Sequence, residues 1–128
     1  MKKDRVNAND LFVFPLRLLE RHAIWSSLDL LRFSTMKLNM RFVDQLCTFF
    51  QKHDGEDVVV DLEIKPHLVL ICSQALTVAV QYLDGIRKNF PYASPELDFV
   101  SDELASLSPI VRNLQNRFRQ AADSIKKS

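Results

Sequence analysis

Glycine is almost missing from this chain. Gly55 and Gly85 are the two among 128 residues, so positive φ is sterically free at few positions and a turn-rich all-β fold is excluded. Cysteine is as scarce: Cys47 and Cys72 stand far apart in apolar helical patterns, with no C-x-x-C and no histidine at ligand spacing. They read as buried, reduced thiols, with a disulfide or a metal site as the alternatives. Charge of one sign is also lacking. Seventeen basic residues against sixteen acidic ones leave a formal charge of +1, and no global field draws the protein to nucleic acid or to an anionic membrane. Phosphate-binding glycine loops, zinc clusters and G-x-S-x-G elbows do not occur, which removes most cofactor-dependent chemistries, and no cofactor or metal is expected. The N-terminal stretch "MKKDRVNANDLFVFPLRLLER" begins basic, but Asp10, Pro15 and Arg17 break its apolar run. It does not read as a secretory signal, and a cytoplasmic location is expected.

What is present is hydrophobic residue: 47% of the 128 positions, enough for one domain with a real core. The expected fold class is all-α, a four-helix bundle-like single domain over 1–128 with a flexible N-terminus at 1–9. A first helical segment spans about Pro15 to Phe33 and buries Leu16, Leu19, Ala23, Leu28 and Leu31. Ser26 and Ser27 leave open a split into two. A second, about Lys37 to His53, carries Met36, Met40, Val43, Cys47 and Phe50 on one face and stops at "HDGED". Residues 57–65, "DVVVDLEIK", alternate as a half-buried strand does. Their available partner is "LFVF" at Leu11 to Phe14, so a short two-stranded β ribbon joining 11–14 to 58–64 is the one extended element the pattern admits. A third helix from Pro66 to about Asn89 is apolar enough to raise a membrane span, but Gln74, Gln81, Ser73, Thr77 and His67 favour a buried central helix.

The last segment is the most regular. From Leu97, heptad positions a and d hold Leu97, Val100, Leu104, Leu107, Val111 and Leu114, then Phe118, Ala121 and Ile125. Pro109 falls at f, opposite the seam, where a bend or a helix restart capped by Ser108 leaves the apolar stripe whole.

Three histidines are the candidates for acid–base work. In "RLLERH", Arg17 and His22 form an R-x4-H pair, which resembles the motif of the HEPN ribonucleases, helical domains of similar size. That resemblance implies RNA cleavage by a dimer in which the arginine and histidine face one another. In that family the motif usually lies near the end of the domain and a polar residue commonly follows the arginine, whereas here it opens the first helix and Leu18 follows. His53 and His67 lie at helix ends, where structural roles suffice. Asp54, Glu56, Asp57, Asp61 and Glu63 lack the spacing of a calcium loop and read as a solvated turn.

The charges of the last segment are ordered, acid first and base last. Arg112, Arg119 and Lys126 share position b, in a line with steps of about 10.5 Å, while Glu103 and Arg117 share g. This order suits the helix dipole, and it also suits two copies running antiparallel, with Glu103 opposite Arg117 of the second copy and Leu104, Leu107, Val111, Leu114 and Phe118 supplying the contact. The function expected from the sequence is that of a cytoplasmic helical interaction or regulatory protein. It would be homodimeric, with another protein as a further partner, and would act without catalysis. Nucleic acid and membrane are not expected partners; the alternative is the HEPN-like ribonuclease or a nucleic-acid-binding regulator.

Overall fold

Strand formation begins where the sequence alternates. In the computed structural model, which describes residues 7–36, 40–53, 55 and 57–127 except the side chains of Met40 and Phe42, β1 (Phe12–Leu16) pairs antiparallel with β2 (Val60–Ile64). Phe14 lies opposite Leu62 and Leu16 opposite Val60. Those facing pairs bury one side of the ribbon, while Val13, Pro15, Asp61 and Glu63 face solvent. Pro15 is thus a strand residue and not the first residue of a helix. Its carbonyl accepts a hydrogen bond from Arg117 at 3.1 Å, so its backbone points away from β2, where a missing N–H costs the ladder nothing.

Helix α1 (Leu18–Leu30) follows at once, opened by the Glu20 carboxylate accepting from the Arg17 amide at 2.8 Å, and continues into a 3-10 turn at Leu31–Phe33. It is one helix, without a restart at Ser26 or Ser27; the Ser27 hydroxyl instead donates back to the Ala23 carbonyl at 2.8 Å. Ala23, Ile24 and Leu28 are buried, but Leu19 is 51% exposed, contrary to its expected core position, because the α1 stripe that faces the core runs through Arg21, Ile24 and Leu28. Helix α2 (Met40–Lys52) turns Val43, Leu46 and Phe50 inward. The expected start of this helix at Lys37, the N-terminal residues 1–6, and Asp54 and Glu56 of the acidic turn lie outside the described residues.

Helix α3 (Pro66–Leu83) is long and apolar enough by composition to cross a membrane, and here it is the central helix, packed against α1 and against the last two helices, with Val69, Cys72, Ala75, Leu76 and Ala79 fully buried. It ends six residues before Asn89. Gly85, at φ 89°, donates to the Tyr82 carbonyl while Ile86 donates to Gln81, the paired bonds by which a left-handed glycine closes a helix. Ser94 then caps α4 (Pro95–Ser106), accepting from the Leu97 amide at 3.1 Å.

The proline of the last segment separates two helices. Leu107 closes α4, and its carbonyl accepts from Val111 to start α5 (Ser108–Lys127). Pro109, in the first turn of α5, has no N–H to continue the α4 ladder. The break lets one apolar stripe serve two partners: α4 packs mainly on α1, and α5 mainly on α3. The result is mainly helical, five α-helices among the described residues with one small antiparallel ribbon.

Candidate functional site

Because α4 swings away from α5, α1 is left between α4 and the end of α2, and the space above it is an open groove of about 630 Å³. Leu18, His22, Trp25, Ser26 and Asp29 lie along its floor at helical spacing on α1, a run of about 16 Å. Phe50 and His53 close one side, and Phe99, Val100 and Glu103 of α4 form the other. Phe50 meets Trp25 edge to face at 6.4 Å and Phe49 at 5.4 Å, so that wall is aromatic and internally supported. Phe99 has no such support. It is 68% exposed on the lip of the groove.

The inner end is built by Arg21, a charged side chain only 2% exposed. Its guanidinium donates to the Leu16 carbonyl at 2.9 Å, to Val58 at 2.8 Å and, at a long 3.5 Å, to His53. One side chain thereby joins the end of β1, the approach to β2 and the end of α2, with Nη1 serving the first two carbonyls and Nη2 the third. The sequence contains a signal for it that composition hides: Arg21, Ile24, Leu28 and Leu31 follow the three-four-three spacing of a buried stripe, and all four are buried.

The residues singled out from the sequence do not converge. His22 is exposed and lines the groove, whereas Arg17 precedes the first turn of α1 and does not line it. Glu103 is on the groove wall. Arg117, expected opposite Glu103 of a second copy, pairs instead with Glu20 of its own chain at 2.8 Å. Arg112 pairs with Asp84 at 2.8 Å, and that bond raises its pKa further. Arg119 and Lys126 are exposed. Leu104, Val111, Leu114 and Phe118 are completely buried within one chain and Leu107 is half-buried. The seam is filled from inside, by α1 and α3, and of these side chains Leu107 alone keeps part of its surface.

Both thiols are held in the protonated form more firmly than a free cysteine. Burial pushes Cys72 up to about 12, and burial together with Asp44 and Asp29 pushes Cys47 up against the opposing effect of Arg32. Among the described residues no three His, Cys, Asp or Glu side chains are grouped to hold a metal ion. Comparison of the chain with protein-family models, with curated proteins and with solved structures gives no match in any of the three.

Proposed function

We propose that this protein is a small helical protein–protein interaction module that docks another protein in the groove over α1, without chemistry of its own. The observation that carries this reading is Phe99, a large aromatic side chain held at the rim of a groove of mixed polar and apolar lining with an aromatic wall, and left 68% exposed. Burying such a ring on binding supplies affinity at the centre of an interface, while leaving it in water has no role in folding. Self-association through α5 is the weaker form of the reading, because the apolar residues it would use are buried. The ribonuclease reading lacks its pair, since Arg17 is not at the groove that His22 lines.

Trp25 is the single tryptophan of the chain and lies in the groove, so its fluorescence reports occupancy directly. Peptides selected from a displayed random library against the native protein are expected to shift Trp25 emission. They should lose at least tenfold in affinity with Phe99→Ala and keep it with Tyr92→Ala, an equally solvent-facing aromatic at 82% exposure. Binders indifferent to Phe99 and silent at Trp25 would place docking elsewhere and overturn the reading.

A further inference from the structure

Resting on the groove as a docking site, we infer the chemistry of its occupant: a basic amphipathic helix. On α4 the side chains that neighbour Phe99 on the helix surface, three and four residues away, are Pro95, Glu96, Asp102 and Glu103. Asp98 precedes it. All four carboxylates are exposed, and α4 contains no lysine or arginine. Among the described residues none of the four takes part in an ion pair, whereas Asp29, Asp84 and Glu20 each hold an arginine of their own chain. Glu103 lines the groove beside Phe99, and Glu96, Asp98 and Asp102 are exposed on the same helix, so the element that carries the apolar anchor is acidic and has no cation of its own.

The arginine that lines the groove and the one beside its Asp29 are already engaged. Arg21 is buried with its donors directed at backbone carbonyls, and Arg32 is held by Asp29. Four like charges within one helix of twelve residues repel one another. They are relieved when a partner brings lysine or arginine beside them, which raises the rate of encounter and fixes orientation more than it adds affinity. The shape selects a helix. The floor is a straight helical face about 16 Å long, enough for roughly eleven residues of a docked helix at 1.5 Å each, and the flanking elements are themselves helices. Apolar residues at i, i+3 or i+4 and i+7 would meet Trp25, Phe50 and Phe99, with basic residues on the edge facing α4.

The probes are three synthetic peptides of fourteen residues, titrated against the full chain with Trp25 emission and calorimetry as readouts. One is amphipathic with leucine at the apolar positions and lysine elsewhere. The second keeps the leucines and replaces lysine by glutamate; the third has the first composition scrambled so that no apolar face forms. The lysine peptide is expected to gain helical circular dichroism on binding and to bind at least tenfold more tightly than either control. Its advantage over the glutamate peptide should shrink at least threefold in a Glu96→Gln, Asp102→Asn, Glu103→Gln variant and fall as salt is raised, while Phe99→Ala should weaken the lysine and glutamate peptides alike. Equal binding of the lysine and glutamate peptides, both sensitive to Phe99, would overturn the basic-partner inference and leave the groove reading standing. Binding of the scrambled peptide as tight as its parent would overturn the helix. Binding insensitive to Phe99, or a groove closed by a second copy in sedimentation at the working concentration, would overturn both.

Discussion

Phe14 and Phe118 stack face to face, their ring centroids 4.1 Å apart and their planes 12° from parallel. The pair joins β1, near the start of the chain, to α5, near its end, and Phe118 is fully buried. Phe118→Ala is expected to destabilise the fold by about 3–5 kcal/mol, the usual result of emptying a buried aromatic site. Phe14→Ala should cost less, its ring being at the edge of the core. A double-mutant cycle in urea should give a coupling of about 0.5–1.5 kcal/mol. A coupling near zero would mean that the ribbon is not anchored through this stack.

Arg21 is expected to be a structural arginine with a functional consequence. Arg21→Met keeps the stem and removes the donors to Leu16 and Val58. A buried carbonyl left without its partner costs about 1–3 kcal/mol, so a total loss of about 2–5 kcal/mol is expected. Arg21→Lys should recover only part of it, because a single ammonium can replace Nη1 at the Leu16 and Val58 carbonyls but has no second nitrogen for the His53 carbonyl that Nη2 reaches. Urea midpoints measure the loss, and hydrogen exchange at the approach to β2 should accelerate. Unchanged exchange there would show that the guanidinium does not hold these elements together.

Much of this architecture is legible in the sequence, and the failures have physical causes. Alternation from Val60 to Ile64 identifies the strand because one of its faces is buried, so the period of two is imposed by packing. Pro15 is misleading because its ring fits two places equally well, the first turn of a helix and the outer edge of a strand; its pairing opposite Asp61 of β2, distant in sequence, distinguishes them. Gly85 is the true stop of α3; Pro91 and Pro95, after Asn89, are the more conspicuous breakers in the sequence but lie beyond it. The heptad seam locates Val111, Leu114 and Phe118 correctly, then drifts: Ala122 is buried where Ala121 is expected, since a single helix keeps 3.6 residues per turn and not 3.5. What covers a seam cannot be read from its pattern, and neither can a groove, because α4 brings Phe99 to the groove that Trp25 and Phe50 line only after it separates from α5.

Gly85→Ala is expected to cost about 1 kcal/mol. A methyl group there would meet no atom within 4 Å, so the whole effect is the strain of an L-residue at φ 89°. Gly85→Asn, which tolerates this conformation better, should cost less. Thermal midpoints rank the three proteins; equal midpoints for glycine and alanine would show that the α3 stop is made elsewhere.

The buried thiol gives a pH dependence. Below the pKa that a cysteine has in the unfolded chain, about 8.5, both states keep the proton and the Cys72 titration leaves stability unchanged with pH. Above it the unfolded chain releases the proton while the folded one holds it up to about 12. Stability therefore falls with rising pH across that window, the unfolding constant growing by up to about tenfold per unit. Cys72→Ala should remove this component of the alkaline slope, at the cost of lower stability at neutral pH. Parallel slopes for the two proteins between pH 9 and about 11 would show that the thiol ionises in place.

Incubation with mixed RNA is expected to give no cleavage that depends on His22. General acid–base cleavage by an R-x4-H pair needs the histidine at the scissile phosphate and the arginine at the developing charge, both within reach of one phosphodiester. Here His22 faces the groove beside Trp25, and Arg17 lies before the first turn of α1, outside it. The wall opposite His22 carries Glu103, with Glu96 and Asp102 on the same helix, and such a surface repels a polyanion. His22→Ala should therefore leave any trace nuclease activity of the preparation unchanged. The same variant should alter the affinity of the lysine peptide by less than Phe99→Ala does. Cleavage abolished by His22→Ala and by Arg17→Ala, in protein whose circular dichroism is intact, would replace the docking function with a catalytic one.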